Sequence, residues 1–109
     1  SVQTALNENN MIQGNIYRVR DGNELVCRVQ TDLGIETPYI LCAPVLPRSE
    51  WGALTPKLHI PILLDGSPHI ILMSQLVAIP GRQIGSVIGD ASAWRDEIVA
   101  AIDLLVSGF

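Results

Sequence analysis

The C-terminal segment, residues 90–109, constrains the fold most, because it carries the only long helical period in the chain. Its apolar residues recur at the spacing of one helix face, at Trp94, Ile98, Ala101, Ile102 and Leu105. Asp90 and Ser92 are residue types that cap helix starts, and Gly108 is a type that ends helices. The spacing therefore predicts one helix over about residues 91–106, packed on the rest of the domain through this stripe.

This helix is apolar on more than one side. Val99, Leu104 and Val106 fall outside the stripe, and the polar wedge is narrow. A helix of this kind is usually covered on more than one side. We therefore expect the domain to cover one side and a second subunit to cover another.

The chain before the helix consists of short strand-like runs separated by turn residues. The runs cover residues 15–20, 25–30, 39–45, 57–64, 69–76, 77–80 and 82–86. Asp21-Gly22 is typical of a hairpin, and Pro44 and Pro61 each remove a backbone donor, which places them at a sheet edge or a bulge. Five to seven short strands followed by one helix predict a mainly β domain, a small barrel or rolled sheet, rather than alternating βαβ units.

Composition limits the partners. A chain of 109 residues forms one domain, which we place at residues 13–109, after a loose N-terminal extension over residues 1–12. Hydrophobic residues make up 48% and charged ones 17%, which favours a subunit interface. With seven Lys and Arg residues and a net charge of −4, the chain is a poor candidate for sequence-specific binding of nucleic acid.

Targeting signals and membrane spans are not evident in the sequence. No apolar run approaches the ~20 residues that a bilayer span needs. We therefore expect a cytoplasmic protein, in which Cys27 and Cys42 are reduced core residues rather than a disulfide.

Side chains that could carry catalysis or bind a metal show no recognised spacing. Cys27, Cys42, His59 and His69 fit no zinc pattern, so neither a metal nor a cofactor is expected. A histidine paired with Ser74 or Cys42 would make a nucleophile and base, but no nucleophile elbow or phosphate loop supports one.

Arginines and one tryptophan leave alternatives open. Arg18, Arg20, Arg28, Arg48 and Arg82 could supply charge beside a phosphate, but we expect the first three to lie on a solvated sheet face. Trp51 is either an exposed binding anchor or packed onto the sheet, and we favour packing.

Several segments, read in order, resemble the CcdB family of bacterial toxins. They are VQTDLGIETP at 29–38, the strand around Pro44, LTPKLHI at 54–60, VAIP at 77–80 and WRDEIVAAIDLLVSGF at 94–109. The resemblance implies an SH3-like small barrel with a C-terminal helix, forming a homodimer. It also implies a toxin that is not an enzyme: it binds the A subunit of DNA gyrase, traps the cleaved-DNA complex and is neutralised by a cognate antitoxin.

The resemblance also implies a set of gyrase-binding positions. The family's terminal Trp-Gly-Ile falls on Ser107, Gly108 and Phe109, so a serine stands where the family has its large indole. Nearby helix positions are Asp103 and Val106, and the apolar pair in the loop after the second strand is Leu33 and Ile35. Two alternatives remain: a family member with a lost or altered target, and a ribonuclease toxin of the MazF type.

Overall fold

The computed structural model describes residues 13–31, 34–35 and 37–108. Its elements are β1 (Asn15–Val19), β2 (Leu25–Arg28), β3 (Tyr39–Pro47), β4 (His59–Leu64), β5 (Ser67–Leu72), β6 (Val77–Pro80), β7 (Ile84–Asp90) and α1 (Arg95–Ser107). The seven strands form one antiparallel sheet in the order β4-β5-β3-β2-β1-β7, with β6 also paired to β3. The predicted class, mainly β with a C-terminal helix, is confirmed.

The two strand prolines lie where the sheet does not need their missing N–H groups. The first half of β3 pairs with β6 through residues 39–42, and its last part pairs with β5 through residues 45–47. Pro44 falls in the gap between these two partners, so an interior strand tolerates it. Pro61 lies in β4, which is the end strand of the sheet, as predicted.

Tight turns at Asp-Gly pairs set the hairpin registers. Asp65 and Gly66 both have positive φ, 50° and 79°, and they connect Leu64 directly to its partner Ser67. Positive φ at both central residues is the geometry that matches the twist of a two-residue hairpin. In the first hairpin, Asp21 has a φ of 62° and the Val19 N–H donates to the Glu24 carbonyl at 2.9 Å.

Two predicted strands are shorter than the sequence indicated. β5 stops at Leu72, because Met73–Gln75 forms a turn of 3-10 helix rather than continuing to residue 76. β4 starts at His59 rather than at Lys57, whose φ of 73° breaks the extended backbone.

The sheet is curled and has a core on each face. The larger cluster includes Ile16, Ala43, Ile71 and the helix residue Ile98, and the smaller one is built on Tyr17, Val26, Ile40 and Cys42. Neighbours in sequence, such as Ile16 and Tyr17, point to opposite faces. Gly89 of β7 lies so close to Leu64 of β4 that an added Cβ would sit 2.7 Å from the leucine Cδ2, so the two ends of the sheet approach each other.

The helix begins later and is packed less evenly than its period predicted. Ser92–Trp94 is a 3-10 turn whose first N–H is capped by Asp90 Oδ1 at 2.7 Å, and α1 then starts at Arg95 instead of residue 91. Ala101 is its last fully buried residue. Leu105, predicted in the buried stripe, is 42% exposed, because the last turn runs beyond the core.

The curl of the sheet predicts that alanine substitution at two glycines has very different effects on stability. A Cβ at Gly85 would collide with the backbone carbonyl of Arg18, whereas nothing lies within 4 Å of one at Gly52. We expect Gly85→Ala to lower the free energy of unfolding by about 1–3 kcal/mol, and Gly52→Ala to change it by about 0.5 kcal/mol or less. Urea denaturation of both variants measures this; equal stability would show that β7 does not lie this close to β1.

Candidate functional site

The C-terminal end of α1 projects from the domain in a fixed conformation. Gly108 takes a left-handed φ of 81° and its N–H donates to the Leu104 carbonyl at 3.0 Å, which closes the helix. The Ser107 hydroxyl donates to the Asp103 carbonyl at 2.7 Å, so this side chain folds back on the helix. Of the predicted site residues at this end, Asp103, Val106, Ser107 and Gly108 are therefore exposed at the closed end of the helix.

One predicted residue of this turn is unusually exposed for its type. The Val106 side chain is 83% exposed and contributes no packing to the core. Asp103 lies one turn earlier and is also exposed. Val99, which the sequence analysis did not assign to the site, is 41% exposed and completes an i, i+4, i+7 line with Asp103 and Val106. The i, i+4, i+7 spacing is visible in the sequence, but the sequence does not show that this line is exposed.

The charge along this helix is mainly acidic. Asp96, Glu97 and Asp103 are all exposed. Arg95, at the start of α1, donates through Nε to Gln13 Oε1 at 2.8 Å, so its side chain is turned toward the start of the chain. The line of Val99, Asp103 and Val106 thus presents two apolar groups around one carboxylate.

The remaining predicted site residues lie elsewhere or outside the described residues. Ile35 lies in the connection between β2 and β3 and is 71% exposed. Leu33 of the same connection and Phe109 at the terminus lie outside the residues that the structure describes.

A histidine and a serine do meet, but in a tautomer unsuited to nucleophilic catalysis. His59 Nδ1 accepts the Thr55 N–H at 2.8 Å, so this nitrogen carries no hydrogen. Nε2 therefore carries the hydrogen and donates to Ser74 Oγ at 3.1 Å. A general base would instead need a free Nε2 to accept the hydroxyl proton.

Trp51 packs onto the sheet beside this pair, as favoured from the sequence. Its ring meets the His59 ring edge to face, with centroids 5.4 Å apart. The side chain is half-buried, so it anchors the loop that precedes β4.

One prediction about the arginines is wrong. Arg28 is 3% exposed and does not lie on a solvated sheet face. Its Nε donates to the Gln30 carbonyl at 2.7 Å and a terminal nitrogen donates to the Thr31 carbonyl at 3.2 Å. The guanidinium is buried because it turns back onto the main chain that follows β2.

The described ranges hold neither a metal-binding group of side chains nor a membrane-spanning helix. There, no three His, Cys, Asp or Glu side chains are grouped closely enough to hold a metal ion. In the same part of the chain, no helix combines the length and apolar character that a membrane span requires.

The geometry defines a small antiparallel β protein with one C-terminal helix whose last turn is exposed. The family model described as CcdB protein matches residues 13–108. The chain therefore belongs to the CcdB family of bacterial toxins, as the resemblance of its segments indicated. No curated protein matches the sequence significantly.

Two solved structures from mycobacterial species share this fold. One, named an endoribonuclease, superposes with a TM-score of 0.67 at 13% identity, covering 84% of this chain and 86% of its own. A second, named an endoribonuclease in complex with its cognate antitoxin, gives a TM-score of 0.65 at 12% identity, covering 84% of this chain and 90% of its own. At such low identity these similarities establish the shared fold.

The cysteines are buried, unpaired core residues, as predicted. Burial raises the pKa of Cys27 from its ordinary 9.0 to about 12, and that of Cys42 to about 11. We expect both thiols in the native protein at pH 8 to react with iodoacetamide roughly 100-fold or more slowly than in urea, because the thiolate is the reactive form. Mass spectrometry of quenched samples measures this, and native rates within a few-fold of the unfolded ones would contradict it.

The raised pKa values of the two thiols make the free energy of unfolding depend on pH. Above about pH 9 the unfolded chain loses thiol protons that the native chain keeps, so the free energy of unfolding should fall as the pH rises toward 11. Cys27→Ala should flatten that fall, because it removes the group with the larger shift.

Proposed function

We propose that this chain is the toxin of a toxin–antitoxin system, acting in the cytoplasm, that binds the DNA gyrase A subunit and traps the gyrase–cleaved DNA complex. Membership of the CcdB family supports the toxin class. The observation that carries the proposal is the exposed last turn of α1, because it presents an unburied valine at a position that the family uses for this target.

Docking of this turn on a partner would remove apolar side chains from water. Burying Val106 against a partner contributes about 1.5–3 kcal/mol, since 83% of its surface is now in water. Val99 adds a second apolar contact along the same line. Asp103 between them favours a cationic group on the partner, and its charge deters wrong partners.

Val99 is also relevant to the tryptophan that the family has at the position of Ser107. Ser107 stands at the position of the family's tryptophan and bonds back to the Asp103 carbonyl, so it offers no large apolar contact. We infer that the line of Val99 and Val106 supplies part of the surface that the tryptophan supplies elsewhere in the family.

The proposal includes a homodimer and a cognate antitoxin. The support for an antitoxin is the family together with a mycobacterial structure of the same fold whose name includes a bound antitoxin. The support for a dimer is the family together with exposed apolar side chains away from the end of α1, at Tyr39, Leu41 and Val77 of β3 and β6.

A ribonuclease of the MazF type is the competing function, favoured by the names of the two solved structures. The chemistry of the described residues favours binding. Arg28 is buried, His59 has the wrong tautomer for a base, and the net charge of −4 repels a polyanion. We therefore propose an inhibitor that works by binding.

A charge placed on the last turn tests this proposal. Val106→Asp should weaken binding to the purified gyrase A subunit by about tenfold or more, because it removes the apolar contact and puts a second carboxylate beside Asp103. Isothermal titration calorimetry measures the affinity. Deletion of residues 107–109 should have a similar effect while leaving the melting temperature within a few degrees.

Leu63→Asp is the matched control, because Leu63 is a 64% exposed apolar residue on the edge strand β4. It should bind gyrase A like the unsubstituted chain. Sedimentation at micromolar concentration should show a dimer for the unsubstituted chain and for all three variants. Full affinity in Val106→Asp would refute the role of the helix end.

A further inference from the structure

A network of hydrogen bonds closes the base of the connection that carries Ile35. At its start, Arg28 donates to the carbonyls of Gln30 and Thr31 at 2.7 and 3.2 Å. Across its two ends, Gln30 Nε2 donates to Thr37 Oγ1 at 3.1 Å. The Thr37 hydroxyl in turn donates to the Tyr39 carbonyl at 2.9 Å. The chain on both sides of Ile35 is thereby tied to the sheet.

The main chain bulges just after the end of β2. The N–H groups of Val29 and Gln30 both donate to the Leu41 carbonyl, at 3.0 and 3.2 Å. Two residues opposite one is the mark of a β-bulge, which bends its strand and re-aims the side chain. Gln30 Oε1 accepts the Leu41 N–H at 3.1 Å, so its amide bridges β3 and Thr37.

Burying an arginine at this point is costly unless its bonds are used. Arg28 is 3% exposed and lies near Tyr17 and Cys42 of the smaller core cluster. Its planar fork spans two successive carbonyls, which a lysine ammonium cannot do with the same geometry. The buried guanidinium of Arg28 thus holds the main chain that leads to Ile35 in place.

We propose that Arg28, Gln30 and Thr37 are positioning residues that hold Ile35 in its target-binding conformation, an inference that rests on the proposed function. Tying both ends of the connection reduces the number of conformations available to it. Ordering Ile35 before the encounter lowers the entropy cost of binding, so losing the network weakens affinity without removing any contact to the target.

Thr37→Val provides the test, since valine keeps the shape of threonine and removes the hydroxyl. Exchange of the Leu41 amide hydrogen, which donates to Gln30 Oε1, should become about tenfold faster when followed by NMR. Affinity for the gyrase A subunit should fall about fivefold, with the melting temperature almost unchanged. Thr37→Ser restores the hydroxyl and should return both values to within about twofold of the unsubstituted chain.

Thr55→Val is the matched control, because it removes an exposed hydroxyl from a different loop and should change neither value. Unchanged exchange in Thr37→Val would overturn the network as a restraint. Faster exchange with full affinity would overturn its role in binding. If the unsubstituted chain does not bind gyrase A, the proposed function fails and the positioning role fails with it, while the exchange measurement still reports on the restraint.

Discussion

Packing of Ile98 and Ala101 into the larger sheet core is the interaction on which the rest of the molecule depends. Both are fully buried, and they fix α1 across the curled sheet near its middle rather than at its end. The turn beyond Ala101 therefore extends past the core, and Gly108 closes it with a left-handed cap. The same anchoring that stabilises the domain leaves Val106 in solvent, where a partner can bury it.

The two candidate binding segments are held in different ways. The end of α1 is a helix turn, ordered by its own backbone bonds and by apolar anchoring one turn earlier. Ile35 lies in a connection without regular structure. Hydrogen bonds from the side chains of Arg28, Gln30 and Thr37 hold the two ends of this connection. This division explains why Arg28 is buried in a domain whose buried residues are mostly apolar.

Sequence patterns predicted the fold class, the seven strand regions and the helix, because alternation and helical period report directly on burial. They missed the 3-10 turn before α1 and the exposure of Leu105, since a period shows which face is apolar but not how far the partner surface reaches. Arg28 was misplaced because its burial depends on bonds to the carbonyls of Gln30 and Thr31, whose positions strand alternation does not report. At the site, Asp103 and Val106 were assigned from the family resemblance. Val99 could be assigned only from its exposure in the structure.

Gyrase poisoning is the central claim, and a cleavage assay tests it most directly. Purified chain would be incubated with gyrase holoenzyme, supercoiled plasmid and ATP, then treated with detergent and protease, with a parallel incubation on RNA. We predict linear plasmid that accumulates with the dose of the chain, and intact RNA. Cleaved RNA with no linear plasmid would contradict it and favour the ribonuclease function.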